Sequence, residues 1–334
     1  MQALVYTGKE KLEYKEFKDP NLVDGESIIK VSASGICGSD MHAYHGKDER
    51  RIPPLILGHE VSGTIEKGSQ KGKKVVLNPL ITCGGCDYCE SAREHLCTKR
   101  VLLGMNRPIE RQGCFAELVL TPDKNIYELP SGLDIKQAPI AEPTAVALHA
   151  VEIAEKNSIK TFDKSKILII GGGAIGLLCA LILEKYKKCR NITLVEPNEK
   201  RLKVCSNYLD IETLKPDDKK ITTDNFDLVF DTVGLEITRQ NSIKSISPGG
   251  TIVHIGLTQP SGIFDFRKAT LQEITFIGTY CYTNNDFGNT LKLLSSKILG
   301  NLKWIEYRSL SKGAEAFKEI HDGTCSAPKI ILIP

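Results

Sequence analysis

From about residue 167 the chain settles into a repeating pattern, a short apolar run followed by a stretch of helical periodicity. The first such run, "ILIIGGGAIGLLCALIL" at residues 167–183, carries no charge. It barely reaches membrane-spanning length, and its three consecutive glycines would make a poor continuous helix. It reads as a buried strand, a tight glycine turn and a buried helix. "ITLVE", "FDLVFDTVG", "GGTIVHIGL" and "ITFIGTY" follow as apolar strands that each reach a turn, with helical stretches between. Such alternation predicts an α/β fold with a doubly wound parallel sheet, whose ligand lies beyond the carboxyl ends of the strands.

The turn after the first strand is G-x-G-x-x-G, with Gly171, Gly173 and Gly176 as its glycines and Ile175 just before the last. Alone the motif is weak. Here it follows a strand and opens a helix, and the next strand ends in an acid, Glu196. Glycines let backbone N–H groups approach a pyrophosphate at the positive end of the helix. Glu196 would accept hydrogen bonds from the adenine ribose hydroxyls and repel a 2′-phosphate, which predicts NAD rather than NADP.

Composition narrows the function classes. The 334 residues carry a formal net charge of only +3, and the lysine clusters (Lys71, Lys73 and Lys74; Lys187 and Lys188; Lys219 and Lys220) are interspersed with acids. That is solvated surface, not a nucleic-acid footprint. "MQALVYTGKEKLEY" has no apolar core of the kind a signal peptide needs. Seven cysteines (Cys37, Cys114, Cys179, Cys189, Cys205, Cys281 and Cys325) are scattered singly, which suits a reducing cytoplasm and no disulfide framework. The other four crowd into "CGGCDYCESAREHLC". Cys83, Cys86, Cys89 and Cys97 are separated by polar residues, at spacings from which one ion can collect all four sulfurs. Four thiolates around a tetrahedral zinc leave no position for substrate, so this metal is structural. An iron–sulfur cluster is the other reading of the run. The seven-residue last gap and the absence of a following proline argue against it.

Upstream, "GICGSDMHAYHG" and "LGHEVSGTI" present Cys37, His59 and Glu60. A thiolate, an imidazole and a carboxylate are the ligand types of a catalytic zinc with an open position. Flanking glycines suit the irregular backbone on which functional groups are presented.

"GICGSD", "GHEVSGTI", the four-cysteine stretch, "AEPTAVALHA" and "GGGAIG" occur in the order and near the distances found in zinc-dependent medium-chain alcohol dehydrogenases. The chain resembles that family end to end, and in particular its polyol dehydrogenase branch. The resemblance implies a GroES-like, β-rich catalytic domain over residues 1–145, with the structural zinc lobe at about 80–100. An NAD-binding Rossmann domain over 146–284 and a segment 285–334 that returns to the catalytic domain complete the expected organisation.

The resemblance further implies two zinc ions per subunit, with Cys37 and His59 binding the catalytic one. Glu60 and Glu142 would be carboxylates that reach this zinc directly or through its water. Asp40 would fix the ligating imidazole. Ser39 and His42 match a relay that carries the alcohol proton outward by way of the cofactor ribose. Arg201 falls at an adenine-side position, and Gly256, Leu257 and Thr258, with Tyr280, Cys281 and Tyr282, line the cofactor and substrate side. The activity implied is interconversion of a secondary alcohol and its ketone by a soluble, cytoplasmic homo-oligomer, a homotetramer or dimer.

Three departures qualify this. Cys281 stands where sorbitol-type relatives carry arginine, and Ala43 where they carry tyrosine. Losing a cation and a phenol removes polyol hydrogen bonds, which favours a less hydroxylated alcohol. The interval between Tyr208 and Phe226 is short for the family, so an element there is expected to be trimmed. Two readings from other classes stand beside the enzyme: a non-catalytic NAD-binding regulatory protein that kept the fold, and a zinc-ribbon nucleic-acid module.

Overall fold

The computed structural model describes residues 1–223 and 225–334. The chain forms two compact units. One comprises Met1–Pro143, Tyr282–Lys297 and Asn301–Pro334; the other comprises Thr144–Cys281 and Ile298–Gly300.

The first unit begins with a hairpin of β1 (Gln2–Gly8) and β2 (Lys11–Glu16), then β3 (Glu26–Gly35), a short helix α1 (Gly38–Tyr44) and β4 (Leu55–Ile56). β5 (Glu60–Lys67) and β6 (Lys74–Leu77) follow, then the two-stranded base of the cysteine lobe, β7 (Leu80–Ile81) and β8 (Val101–Leu102), with α2 (Asp87–Glu90) inside the lobe. β9 (Leu118–Pro122) and β10 (Ile126–Glu128) complete this stretch, and α3 (Ala141–Asn157), which carries Glu142 in its first turn, belongs to the first unit only as far as Pro143. Ile29, Val61, Leu77 and Val119 alternate inward from neighbouring strands to form one core, and Leu4, Tyr44, Phe115 and Phe317 anchor a second.

In the second unit six parallel strands lie in the order β13-β12-β11-β14-β15-β16. They are β11 (Ile167–Ile170), β12 (Ile192–Val195), β13 (Glu212–Leu214), β14 (Phe226–Asp231), β15 (Ile246–His254) and β16 (Thr275–Gly278). This is the dinucleotide-fold order, so the doubly wound expectation holds. The connecting helices are α4 (Ala174–Leu181), α5 (Glu199–Tyr208), α6 (Lys220–Thr223), α7 (Glu236–Ser245) and α8 (Phe266–Leu271). The apolar run at 167–183 divides as its glycines require, into β11, a turn and α4, which passes into a π-helical turn at Ile182–Tyr186. The short interval after Tyr208 holds a three-residue strand and a one-turn helix. Among the described residues no helix is long and apolar enough to cross a membrane.

The chain then returns to the first unit with α9 (Asn284–Ser295), β17 (Ile305–Ser309), α10 (Gly313–His321) and β18 (Lys329–Ile333). β18 runs between β17 and β3, and its register sets Ile331 beside Gly35, whose other neighbour on β5 is Glu60. Cys37, just past the end of β3, is thereby brought beside His59 and Glu60 at the start of β5, with β18 on the other side of β3.

Candidate metal centres and nucleotide-binding turn

The four lobe cysteines converge. Their sulfurs all lie within 4.8 Å of one another, with Cys83–Cys97, Cys86–Cys89 and Cys83–Cys89 at 3.5, 3.6 and 3.9 Å. A disulfide needs about 2.05 Å, whereas a tetrahedron with Zn–S bonds of about 2.3 Å has edges of about 3.8 Å. The set fits zinc. The Gly85 N–H and the neighbouring Cys97 thiol draw the Cys83 thiol down to about 6, which favours the thiolate a metal requires. Gly84, with a φ of +80°, makes the tight turn between the first two cysteines.

The second candidate centre is built around the start of α1. Cys37 caps this helix, and its backbone N–H donates to Asp40 Oδ2 at 3.0 Å. Asp40 is fully buried, and its Oδ1 lies 3.5 Å from Nδ1 of the buried His59. Among the described residues neither of those two atoms has a hydrogen-bond partner. Burial opposes an imidazolium at His59, but Asp40 and Cys37 beside it outweigh that and hold its pKa well above the usual histidine range. With Nδ1 facing Asp40, Nε2 faces the Cys37 thiol and the Ser39 hydroxyl, the latter at 3.5 Å. A thiol and an imidazole lone pair so arranged suit a zinc ion, and Asp40 would fix the ring's tautomer.

The two carboxylates behave differently. Glu142 is buried and accepts a hydrogen bond of 3.1 Å from Tyr282 Oη. Burial, reinforced by Glu60 and opposed by His59, pushes it up to about 7. Glu60 is fully buried, and both its oxygens take hydrogen bonds from Lys329 Nζ, at 2.6 and 2.9 Å. The same ammonium donates to the Ile36 carbonyl at 2.8 Å. A Cβ on Gly35 would overlap Glu60 Oε2, so any other residue there would displace the carboxylate from Lys329. Among the described residues Glu142 makes no ion pair and feels the charge of His59, whereas Glu60 would have to leave Lys329 to reach a metal.

Two residues of this centre escape a reading of the sequence. Lys329 is the first residue of the apolar strand β18, and a lysine leading directly into "IILI" is the signal that could have found it. Arg51, side by side with Arg50, looks like surface. Its side chain is fully buried, however, and donates to Ser39 O, Ser39 Oγ, Gly104 O and Asp48 Oδ2. Tyr282, expected on the cofactor and substrate side, is 1% exposed with its hydroxyl on Glu142.

In the second unit Gly171 adopts a φ of +106°, and a Cβ there would strike Val233 and Thr232. A side chain on Gly176 would overlap the Gly171 carbonyl, which fixes the close approach of turn and helix. Gly173 caps α4, and Ile175 lies half-buried in its first turn. Glu196 ends β12 almost wholly buried, accepting from Gly172 N at 2.8 Å and Asn198 N at 2.9 Å, with Arg201 Nη1 at 3.6 Å. Gly256, Leu257 and Thr258 follow β15. Gly256 packs on the backbone of Val233 and Gly234, Leu257 is exposed, and Thr258 Oγ1 donates to Val233 O at 2.6 Å. Tyr280 and Cys281 are half-buried, Cys281 with a φ of +48°.

Residues 23–131 match the family described as "Alcohol dehydrogenase GroES-like domain" and residues 174–296 the family "Zinc-binding dehydrogenase". The sorbitol dehydrogenase of Halalkalibacterium halodurans is 30% identical over 354 residues, covering 100% of this chain and 99% of that protein. The chain belongs to the zinc-dependent medium-chain alcohol dehydrogenases, in their polyol branch. This dehydrogenase is 29% identical to the 2-dehydro-3-deoxy-L-galactonate 5-dehydrogenase of Pseudoalteromonas atlantica over 85% of the chain and 86% of that protein. Its fold is shared with alcohol dehydrogenase TADH from Thermus sp. ATN1 (TM-score 0.91, 24% identity, 100% of both chains). It is shared as well with 2R,3R-butanediol dehydrogenase from Bacillus subtilis (TM-score 0.85, 24% identity, 100% of this chain and 99% of that one). This chain is therefore an oxidoreductase acting on alcohol groups, and the regulatory and nucleic-acid alternatives are set aside.

Proposed function

We propose that the enzyme oxidises a secondary alcohol of the polyol or diol class to its ketone, with NAD as hydride acceptor and two zinc ions per subunit. The observation that carries this is the half-buried Cys37 thiol beside the buried His59, backed by Asp40, with the Ser39 hydroxyl 3.5 Å from His59 Nε2. Cys37, His59 and Glu142 are the residues assigned to the catalytic ion, Glu60 to its surroundings, and Cys83, Cys86, Cys89 and Cys97 to the structural one. Zinc in such a site acts as a Lewis acid that makes an alcohol hydroxyl acidic near neutral pH.

The chain's own residues then have distinct tasks. Ser39 accepts the substrate's hydroxyl proton, and His42 at the far end of α1 receives it for release to solvent. The turn at Gly171, Gly173 and Gly176 offers backbone N–H groups to the pyrophosphate, while Glu196 receives the ribose hydroxyls and disfavours a 2′-phosphate. Cys281 and Ala43, in place of a cation and a phenol, favour a substrate with fewer hydroxyls than sorbitol. Assembly into a homo-oligomer is supported by exposed apolar side chains next to the edge strand β16, among them Phe266 at 73%, Leu271 at 70% and Phe276 at 46% exposure.

The test is a screen for NAD reduction over polyols, vicinal diols, hydroxy-amino acids and sugar phosphates, with Cys37→Ser as the control. Turnover of a diol or polyol that vanishes in the control is expected. Turnover confined to sugar phosphates or primary alcohols, or undiminished in Cys37→Ser, would overturn the assignment.

A further inference from the structure

Arg51 is a buried cation close to the residues just described, and its hydrogen bonds exceed what a structural tie needs. Among the described residues its only carboxylate partner, Asp48 at 2.9 Å, is shared with Arg50, which binds the same acid at 2.9 and 3.1 Å. Two backbone carbonyls, Ser39 O at 2.8 Å and Gly104 O at 3.2 Å, would suffice to pin the segment against α1 and the Gly104 turn. A further N–H, on Nη2, goes to the Ser39 side chain, at 3.3 Å from Oγ.

That bond has a directional consequence. A serine hydroxyl offers one hydrogen and two lone pairs. Arginine donates only and stays protonated, so it occupies one lone pair and repels the hydroxyl hydrogen. The remaining lone pair and the hydrogen are turned elsewhere, leaving Ser39 one site to accept a proton and one direction in which to pass its own.

A second consequence falls on His42. This imidazole is half-buried, and burial is the main cause that lowers its pKa. The charged groups around it are Arg51, Asp48, His45 and Lys47; Arg51 acts most strongly among them and lowers the pKa further, Asp48 raises it, and His45 and Lys47 lower it. A neutral His42 is the form able to receive a proton.

We propose that Arg51 is a positioning residue for the proton path, fixing the orientation of the Ser39 hydroxyl and supplying the permanent positive charge beside His42. The inference rests on the Ser39–His42 reading above, but its charge component can be measured without any substrate.

The experiment is an NMR titration of the His42 imidazole in zinc-loaded protein, with the resonance assigned by its loss in His42→Gln. Arg51→Met removes the cation, and the His42 pKa should rise by about half a unit or more. Asp48→Asn removes the opposing anion and should move it down. Arg51→Lys keeps the charge without the planar fork, so the titration should stay near wild type. With an alcohol found by the screen, Arg51→Lys should lose about tenfold or more in kcat while KM changes little, within the range for a misplaced acid–base group. Zinc content is measured in every variant. An unmoved His42 pKa in folded Arg51→Met sinks the proposal; should that variant not fold, an unmoved pKa in Asp48→Asn does so. Unchanged kcat in Arg51→Lys overturns the orientation of Ser39. If no alcohol is oxidised, the functional reading fails while the titration still decides whether Arg51 sets the charge at His42.

Discussion

The pair formed by Lys329 and Glu60 offers the most quantitative prediction. Both side chains are at most 3% exposed, and the ammonium sits 2.6 and 2.9 Å from the two carboxylate oxygens. Attraction at that separation is worth about 6 kcal/mol at an effective dielectric constant of about 20. Removing two ions from water costs several kcal/mol each, so the intact pair contributes little net stability. Breaking it is another matter. Lys329→Met leaves Glu60 as an unpaired buried carboxylate and should cost about 3–5 kcal/mol. Lys329→Met with Glu60→Gln removes both charges and should recover most of that loss. A bound catalytic zinc would itself compensate Glu60, so the series belongs in a Cys37→Ser background, which lacks the full ligand set but keeps the cysteine lobe intact. The readout is built in. Trp304 is the chain's single tryptophan, is buried, and lies in the same unit as the pair. Urea unfolding followed by its fluorescence should show a midpoint lower by at least about 1 M in Lys329→Met, given a slope of about 3 kcal/mol per M. A loss below about 1 kcal/mol, or a double variant no more stable than the single one, would refute the reasoning.

Three further outcomes are expected. Cys83→Ser opens the closed sulfur set, and zinc content should fall from two ions to one per chain with a lowered thermal midpoint, measured by elemental analysis and calorimetry; retention of two ions would contradict it. Wild-type enzyme should favour NAD over NADP by at least about tenfold in kcat/KM, on the order of 1.4 kcal/mol. Glu196→Gln, which keeps an acceptor for Gly172 N but drops the charge, should narrow that ratio, as steady-state kinetics with both cofactors will show. Ser39→Ala, with its zinc retained, should lose about 10²-fold or more in kcat across the pH range; near wild-type turnover would remove Ser39 from the proton path.

The parts of this protein that were legible in the sequence are those whose signal is local. A strand, a glycine turn and a helix are contiguous in 167–183, so their period and their glycines announce the dinucleotide fold directly. Four cysteines within fifteen positions likewise carry their geometry in their spacing. What the sequence does not display is which buried charges meet. Lys329 reaches Glu60 only because β18 pairs with β3 in the register that sets Ile331 beside Gly35; a shift by one residue would turn the lysine to the other face. Arg51 is concealed for a similar reason. Only the packing of its segment against α1 and the Gly104 turn buries a guanidinium that would otherwise look like solvent-facing charge. Glu196 was legible as an acid at a strand end, but not that Gly172 N and Asn198 N already hold it in place before any ribose arrives.

The placement of Lys329 also bears on how the protein is made. Glu60 precedes its counter-ion by 269 residues. At about 5–20 residues per second on a ribosome, the carboxylate waits roughly 13–54 s for the lysine that neutralises it. Throughout that interval β3 lacks its β18 neighbour, while the six-stranded nucleotide-binding sheet, whose strands all emerge earlier, can close on its own. Vectorial synthesis therefore leaves the metal pocket incomplete until β18 has emerged, with Cys37 and His59 beside an unfinished sheet. Zinc delivered early would meet a Glu60 with no lysine holding it back. Ribosome stalling before residue 329, or a cut that removes β18, should leave a chain in which Glu60 has lost its lysine partner.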